Sequence, residues 1–377
     1  MHDTRAKNAY IKAERASAEL RRGGNVMLRL NNGEAALFRG AEFADREEIE
    51  FLSRLAGSGP LLVLTTNRIK SLHRSLRQGW PAATIALTSR RYDDVFDLAF
   101  GQANLNSADG LNLVAERKDS LADHATKLLR NAKLLPAALM ARLPFRDVAA
   151  QDRFSQEHNI LVLEARDLES YDHQTGAMMR IAARAQVPLA IAKDAEVIMF
   201  RTEVGGEDHF AVLIGSITDI EVPLVRLHSQ CITGDILGSL KCDCGEQLQA
   251  AMCLMAENGG GVLIYLAQEG RNIGLLNKMR AYALQDKGLD TVDANHTLGF
   301  DTDERVFLPA ARILDALGIS RLRLITNNPD KISQLEKCGI KVEERVPLHL
   351  ASNPHNENYL ATKRRRTGHM ISDKDKQ

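Results

Sequence analysis

The residues of this chain that most directly indicate chemistry are three cysteines. Cys242 and Cys244 form a Cys-x-Cys pair, and Cys231 precedes that pair by a loop of ten residues. Cysteine sulfur is a common zinc ligand, and a structural zinc site usually has four protein ligands, whereas a catalytic site leaves one position open. Because no fourth ligand stands out nearby, the pattern favours an open, catalytic zinc site. Three reduced cysteines in a core would give the same spacing, since Cys-x-Cys is a short pattern.

All five cysteines of the chain follow residue 230. An odd number of cysteines in a reducing compartment favours thiols and a metal over a disulfide framework. Cys253 lies within a helical pattern, and Cys338 directly precedes Gly339. For these two cysteines we expect burial rather than ligation.

Composition narrows the classes of function. With 377 residues, of which 44% are hydrophobic, the chain is long enough for two domains with separate cores. Lys and Arg together number 49, as do Asp and Glu, so no global field attracts the chain to nucleic acid or to an anionic membrane. Any polyanionic ligand must therefore be bound by a local cluster of cations.

The chain shows no signal for a membrane or for secretion. No run of eighteen apolar residues occurs, and the N-terminal Met-His-Asp-Thr-Arg-Ala-Lys lacks the apolar core of a secretory signal. A run of cations at 363–366 could form a nucleic-acid patch, but such a run on a terminal segment is more often solvated. We therefore expect a cytoplasmic protein that uses neither nucleic acid nor a membrane as a partner.

The elements that must position the cysteines form an α/β (α+β) pattern in two domains, each a mixed sheet with flanking helices. We place the domains at 1–172 and 173–377. Residues 246–257 are predicted to form a helix directly behind the cysteines, and residues 175–185 another helix. The predicted strand 262–266 runs into a polar, glycine-bearing loop that opens a helix, where backbone donors and Arg271 could bind an anion.

The first domain resembles 3,4-dihydroxy-2-butanone 4-phosphate synthase. The likeness lies in residues 18–28 and in Gly-Ala-Glu-Phe at 40–43. That family carries a dense acidic cluster after its first strand, because two magnesium ions need several carboxylate oxygens. Here residues 29–35 keep one acid, Glu34, so the resemblance implies a degenerate, inactive domain that serves as a scaffold, dimer surface or regulatory module. His124 falls near a family histidine and is expected to be structural.

Residues 176 to about 370 closely resemble GTP cyclohydrolase II, the hydrolase that opens the guanine ring of GTP at the start of riboflavin synthesis. Seven blocks carry the resemblance, in order along the chain. They are His-Ser-x-Cys-x-Thr-Gly-Asp (228–235), Cys-Asp-Cys-Gly-x-Gln-Leu (242–248), Gln-Glu-Gly-Arg-Asn-Ile-Gly-Leu-Leu-Asn-Lys (268–278), Ala-Tyr-Ala-Leu-Gln-Asp (281–286), Asp-Thr-Val-Asp-Ala-Asn (290–295), Asp-Glu-Arg (303–305) and Thr-Asn-Asn-Pro-x-Lys (326–331).

This resemblance implies catalytic roles for particular residues. Cys231, Cys242 and Cys244 match the zinc ligands, and the metal would activate water to attack C8 of guanine, with release of formate. Tyr282 matches a tyrosine that donates or accepts a proton near the ring. Asp303 and Arg305 match a pair that acts at the α-phosphate, where diphosphate leaves. A guanidinium is almost always protonated, so Arg305 as a covalent nucleophile and Arg305 as an electrostatic clamp both remain open.

The resemblance also implies a set of GTP contacts. They are Arg226, Leu227, His228, Ser229, Gln230, Gln247, Glu269, Gly270, Arg271, Thr291, Thr326 and Lys331. Glu269 suits the guanine N1 and N2 hydrogens, and the cations suit the triphosphate with a magnesium ion. Gln230 and Glu246 depart from the commonest family residues, so we expect altered affinity or rate rather than lost activity. A single zinc ion per subunit and a homodimer are the family expectation.

Three alternatives remain at this stage. A relative in another pathway, such as pyrimidine catabolism, would differ in its product. A non-catalytic GTP-binding or RNA-binding protein would bind without releasing formate, although Tyr282, Asp303 and Arg305 count against it. A bifunctional enzyme would also consume ribulose 5-phosphate, which the missing acids after Leu30 oppose.

Overall fold

A computed structural model describes most of the chain. The described residues are 4–74, 76, 79–89, 92–101, 111–174, 179–202, 206–217, 220–348, 350, 353–356 and 365–366. The chain divides into two compact units, each with its own sheet. Unit 1 comprises Met1–Gln174 and Leu276–Glu304, and unit 2 comprises Thr175–Leu275 and Arg305–Gln377. The expectation of two mixed sheets with flanking helices is confirmed.

The strands of unit 1 are β1 (Val26–Arg29), β2 (Ala35–Gly40), β3 (Leu61–Thr65), β4 (Ala82–Ala86), β5 (Leu113–Glu116), β6 (Ala137–Arg142) and β7 (Leu161–Glu164). They form one sheet in the order β5-β4-β3-β6-β2-β1-β7, in which β1 and β7 are parallel and the other neighbours antiparallel. β1 and β2 are buried along their whole length, which explains why both read as continuous apolar runs interrupted by arginines.

The helices of unit 1 are α1 (Thr4–Arg21), α2 (Arg46–Ala56), α3 (Thr66–Ser71), α4 (Val95–Ala99), α5 (Leu121–Asn131), α6 (Val148–Glu157) and α7 (Ala165–Gln174). α2 shows how local sequence sets such bounds. The Asp45 side chain accepts the N–H of Glu48 at its start, and Gly57 ends it in the left-handed conformation at φ 67°.

The strands of unit 2 are β8 (Met179–Gln186), β9 (Glu196–Thr202), β10 (His209–Ile214), β11 (Leu224–Ser229), β12 (Gly261–Leu266), β13 (Arg321–Ile325) and β14 (Lys341–Val346). Their order is β14-β13-β11-β12-β10-β9-β8, parallel from β14 to β12 and antiparallel beyond. The helices are α8 (Ile232–Asp235), α9 (Cys244–Glu257), α12 (Leu308–Ala316) and α13 (Pro329–Lys337). α9 packs on one face of the sheet and α12 and α13 on the other, each over its own hydrophobic core.

Two further helices, α10 (Leu275–Gln285) and α11 (Thr291–Thr297), precede α12 in the chain. Residues 276–304, which we call the returning segment, belong to unit 1. The predicted division at residue 172 did not anticipate this return, and the functional assignment of 1–172 and 173–377 stays a prediction.

The helix predicted over 175–185 is wrong where the structure describes it. Residues 179–186 form β8, which pairs with β9 from Met179 opposite Thr202 to Gln186 opposite Glu196. Met179 and Ile181 are half-buried against the core, whereas the strand is exposed from Ala183 onward. Pairing with a distant strand therefore outweighs a weak local preference for helix.

No helix among the described residues combines the length and the apolar character needed to cross a bilayer.

Candidate active site

The three predicted cysteines come together. Cys231 lies directly before α8, Cys242 lies two residues before α9 and Cys244 begins α9. Their sulfurs all lie within 4.8 Å of one another, and those of Cys231 and Cys242 are 3.7 Å apart. Zinc–sulfur bonds of about 2.3 Å in tetrahedral geometry place two sulfurs about 3.8 Å apart. Within the described residues the group consists of these three cysteines, so its geometry fits a metal with three sulfur ligands.

Two glycines make this cluster possible. A Cβ added at Gly234 would lie 2.9 Å from the Cys242 sulfur and 3.1 Å from the Cys231 sulfur. A Cβ at Gly245 would lie 2.3 Å from the Gly234 carbonyl oxygen. Both distances are shorter than van der Waals contact, so the segments before α8 and at the start of α9 approach as closely as they do because neither position has a side chain.

Asp235, whose role the sequence did not reveal, holds the first cysteine in place. Its buried carboxylate accepts the backbone N–H of Cys231 at 3.0 Å and the hydroxyl of Tyr265 at 2.8 Å. The same carboxylate lies 3.0 Å from Nε2 of His228. Burial lowers the pKa of His228 despite the nearby carboxylate. A neutral ring that donates from Nε2 leaves Nδ1 as an acceptor, and Nδ1 has no hydrogen-bond partner among the described residues.

Arg226 brings a positive charge to the same side of the sheet. It projects from β11, is 6% exposed, and donates to the Ile325 carbonyl at 3.1 Å and to the Gln247 side chain. Gln247 in turn donates to Asp243 at 2.6 Å, which orients its amide. Burial lowers the pKa of Arg226 to about 10, although Asp243 and Cys244 act in the opposite direction. The charge of Arg226 is thus only partly compensated inside the protein.

Two more cations lie near one aromatic ring. Arg305 and Lys331 each place their charged group 5.5 Å from the ring centre of Phe307, a buried residue that the sequence analysis missed. Lys331 donates to the Leu227 carbonyl at 2.7 Å, and Arg305 approaches the Ser229 hydroxyl at 3.4 Å. Both cations therefore lie near the same buried ring and contact residues of β11.

The loop after β12 has an unusual backbone. Gly270, Arg271 and Asn272 all have positive φ, at 64°, 59° and 76°. Two consecutive non-glycine residues in this region store strain that surrounding contacts must offset, as is common at functional sites. One such contact joins the loop to the cysteine segment, since a Glu269 carboxylate oxygen accepts the Ile232 N–H at 2.7 Å.

The remaining predicted residues of unit 2 follow the same layout. Gln230 donates its N–H to the Leu266 carbonyl at 2.8 Å, and the buried Thr326 hydroxyl accepts the Asn328 N–H at 3.0 Å. β11, β12 and β13 are parallel; Ser229 and Gln230 stand at the carboxyl end of β11, residues 269–271 follow β12, and Thr326 directly follows β13. This edge of a parallel sheet is where α/β proteins place ligands.

Three predicted residues belong to unit 1. Tyr282 lies in α10, Thr291 begins α11, and Asp303 follows α11. The Lys278 ammonium lies 5.7 Å from the Tyr282 ring centre. Tyr282, Thr291 and Asp303 are all on the returning segment, and their predicted roles stay predictions.

The end of β1 in unit 1 has a different character. Arg29 is buried there and forms ion pairs with Glu164 at 2.6 Å and Asp152 at 2.9 Å. Burial alone would lower the pKa of Arg29, but these two carboxylates outweigh it and raise the pKa. The one retained acid, Glu34, pairs with Arg146 at 3.1 Å.

His124, also in unit 1, is buried. Burial is the main cause of its lowered pKa, and its Nε2 lies 3.9 Å from Glu169. Asp119 completes a group that could hold a metal by distance alone, but Lys127 lies 3.4 Å from Asp119 and competes for its carboxylate.

The comparisons with known proteins agree with this geometry. The family model of GTP cyclohydrolase II matches residues 179–347. A GTP cyclohydrolase-2 from Azospirillum brasilense is 42% identical over 96% of this chain and 94% of its own length. A GTP cyclohydrolase-2 from Salmonella typhimurium is 50% identical over 52% of this chain and 98% of its own length.

Other similarities cover more of the chain than residues 179–347. The riboflavin biosynthesis protein RibBA of Salinispora tropica is 43% identical over 68% of this chain and 65% of its own length. A solved two-domain 3,4-dihydroxy-2-butanone 4-phosphate synthase from A. baumannii covers 90% of this chain and 99% of its own, with 17% identity and a TM-score of 0.37. The near full-length similarity to the Azospirillum protein, together with the match to the family, shows that this chain belongs to the GTP cyclohydrolase II family.

Proposed function

We propose that this chain is a zinc-dependent GTP cyclohydrolase II. It hydrolyses GTP to 2,5-diamino-6-(5-phospho-ribosylamino)pyrimidin-4(3H)-one, formate and diphosphate, the first step of riboflavin biosynthesis. The observation that carries the proposal is that three cysteine sulfurs lie within 4.8 Å of one another in the same unit as Arg226, Arg305 and Lys331, which lie on β11 or contact its residues. A metal-binding group beside several cations suits hydrolysis of a phosphorylated substrate.

Cys231, Cys242 and Cys244 would hold the zinc. When bound, zinc supplies a Lewis acid that activates water near neutral pH. Hydration at C8 of guanine and cleavage of its two bonds to nitrogen release formate and leave the diaminopyrimidine. Asp235 keeps Cys231 oriented by accepting its N–H at 3.0 Å, and Gly234 leaves room for the sulfurs. Tyr282 is proposed to donate or accept a proton at the ring.

The cations are proposed to bind the triphosphate, with magnesium compensating the remaining charge. Arg226 is suited to this role because its hydrogen bonds to Ile325 and Gln247 go to neutral oxygens. Arg305, with Asp303 two residues away, is proposed to act at the α-phosphate where diphosphate leaves. Arg305 can do so as an electrostatic clamp without losing a proton.

Glu269 is proposed to recognise guanine. Its carboxylate is oriented by the Ile232 N–H at 2.7 Å and can accept hydrogen bonds from N1 and N2 of guanine. Adenine has no N2 amino group and no hydrogen on N1, so the same carboxylate would disfavour ATP. The remaining proposed contacts are Leu227, His228, Ser229, Gln230, Gln247, Gly270, Arg271, Thr291, Thr326 and Lys331.

For the N-terminal domain we propose that synthase activity is lost. Two magnesium ions require several carboxylates, whereas Arg29 lies at the end of β1 and engages Glu164 and Asp152 itself. We further propose a cytoplasmic homodimer, in keeping with the family expectation.

The test is to incubate purified protein with GTP, or with ATP as the control nucleotide, and to follow formate, diphosphate and product mass with and without a chelator. The proposal expects formate and diphosphate from GTP alone, lost with the chelator and restored by zinc. Binding of GTP without formate would indicate a non-catalytic nucleotide-binding protein. A product of different mass would indicate a relative from another pathway. Consumption of ribulose 5-phosphate would contradict the loss of synthase activity.

A further inference from the structure

We infer that the part of unit 1 up to Gln174 is a positioning scaffold for the returning segment. We further infer that the contacts between this part and the returning segment set the rate of the cyclohydrolase reaction. The returning segment carries Tyr282, Thr291 and Asp303. The inference rests on the proposed function, because those residues affect a rate only if they act in that reaction. Contacts with residues of the N-terminal 174 hold the segment at its beginning, in its middle and at its end.

The first group of contacts precedes Tyr282 on α10. Asn277 is fully buried, and its side-chain amide donates to the Lys133 carbonyl at 2.9 Å. Arg280 donates to the Asn277 side-chain oxygen at 2.8 Å and pairs with Glu42 at 3.2 Å. Glu42 is itself held by the Leu135 N–H at 3.1 Å. The start of α10 is thus fixed by a connected polar network.

The second group lies at the end of α11, the helix that Thr291 begins. The Thr65 hydroxyl donates to the Gly299 carbonyl at 2.7 Å, and Thr65 is 1% exposed. The Asn67 amide donates to the Phe300 carbonyl at 3.0 Å. Both donors come from the junction of β3 and α3, so a rigid part of unit 1 holds this turn.

Arg68 belongs to the same group and is among the largest fully buried side chains of the chain. One of its nitrogens donates to the Thr297 carbonyl at 2.9 Å, and others donate to the carbonyls of Leu98 at 2.8 Å and Gly101 at 2.8 Å. Burial lowers its pKa to about 10. A buried guanidinium is costly to desolvate and must use its donors, so it fixes Thr297 relative to the turn after α4.

The third group surrounds Asp303. Arg130 on α5 lies 3.4 Å from Asp301 and 3.5 Å from Glu304, on either side of Asp303 in sequence. Glu304 also accepts the Asp301 N–H at 2.8 Å. Burial raises the pKa of Glu304, and Arg130 opposes that shift. The backbone on both sides of Asp303 is therefore tied to α5.

These contacts lie on both sides of each of the three proposed site residues. Catalysis requires reacting groups to be placed within fractions of an ångström, and a 1 Å displacement can cost about a hundredfold in rate. The Salmonella relative covers only about half of this chain. The test is therefore made on this full chain.

The test compares Thr65→Val/Asn67→Ala, which removes the hydrogen bonds to Gly299 and Phe300, with Thr65→Ser, which keeps the hydroxyl. Thr84→Val is the matched control, since Thr84 is a buried threonine of the same sheet that bonds to Glu116 at 3.2 Å. Four quantities are measured on each protein: kcat and KM for formate release, zinc content, and amide hydrogen exchange across 291–300.

We expect the double variant to lose at least about tenfold in kcat, to exchange faster across 291–300, and to keep wild-type zinc content. Thr65→Ser and Thr84→Val should stay near wild type. Faster exchange with unchanged kcat would overturn the inference while leaving the proposed function intact. Unchanged exchange, or loss of zinc along with activity, would overturn it too, because the contacts would then be dispensable or only generally structural. A wild-type protein that releases no formate would refute the proposed function, and the inference with it.

Discussion

Two buried arginines, Arg29 at the end of β1 and Arg226 on β11, show how the two units differ. Arg29 pairs with Glu164 and Asp152, and its pKa is raised. Arg226 donates to a carbonyl and an amide, and burial lowers its pKa to about 10. The first charge is compensated by carboxylates within the protein, whereas the second is proposed to be compensated by the triphosphate of the substrate. A buried arginine whose charge is compensated by carboxylates of the protein therefore indicates a structural site, whereas one without such compensation indicates a binding site.

Arg68 limits how far this comparison extends. Its pKa is also lowered to about 10, yet its donors reach the carbonyls of Leu98, Thr297 and Gly101. By contrast, Nε of Arg226 is buried and has no hydrogen-bond partner in the part of the chain that the structure describes. A lowered pKa indicates a binding site only when donor capacity also remains.

The largest effect is expected when the group of three cysteines in unit 2 is disrupted. Cys242→Ser should lower formate release by at least about a thousandfold, because the ion that activates water is lost. Zinc content and formate release measure the effect. Cys253→Ser is the control, since Cys253 lies on α9 outside the sulfur group and should retain both. Wild-type zinc content in Cys242→Ser would show that the three sulfurs do not form the metal site.

Arg226→Met tests the uncompensated charge. It should lower kcat/KM for GTP by about a hundredfold, because a partly desolvated cation that binds the triphosphate is lost. Steady-state kinetics with GTP measure this change. The free energy of unfolding, followed in urea, should change less than for Arg29→Met. Wild-type kinetics would place the triphosphate elsewhere.

Arg29→Met tests the compensated charge. It should lower the free energy of unfolding by about 2 kcal/mol, since it leaves the Glu164 and Asp152 carboxylates without their partner. kcat/KM for GTP should stay within about twofold of wild type. A large loss of activity in a well-folded Arg29→Met protein would remove the distinction between the two arginines.

The smallest effect is expected for Glu34→Gln. The Glu34–Arg146 pair is partly exposed at 3.1 Å, so its loss should change the free energy of unfolding by less than about 1 kcal/mol. Formate release should not change. If unit 1 were a working synthase, its remaining acid would be essential. Consumption of ribulose 5-phosphate by the wild-type protein that Glu34→Gln abolishes would therefore restore the bifunctional alternative.

The sequence predicted best where local pattern and fold agree. The helix expected over 246–257 is α9, and the strand expected over 262–266 is β12. The sequence predicted a helix over 175–185 instead of β8, because a short apolar run does not distinguish a helix from a strand. The pairing of β8 with β9 joins separate parts of the chain and is not encoded locally.

The structure adds contacts that no local pattern could supply. The three cysteines were expected together from spacing, and they are together. The role of Asp235 could have been suspected from its place in the His-Ser-x-Cys-x-Thr-Gly-Asp block. The contact of Arg68 with Thr297 joins residues 229 positions apart and required coordinates. The same holds for the approach of Arg305 and Lys331 to the Phe307 ring.

The absence of a side chain at Gly234 has a consequence for biosynthesis. Three sulfurs packed this closely repel one another as thiolates unless a cation lies between them. In a chain made under zinc starvation the cysteines would stay protonated, and residues 231–244 would depend on hydrogen bonds such as those to Asp235 and Glu269. That stretch carries Ile236 and Leu237, which are 74% and 72% exposed even in the folded chain. Proteases should therefore cut newly made, metal-starved protein first in this loop. Zinc supply would then control the abundance of the protein as well as its activity.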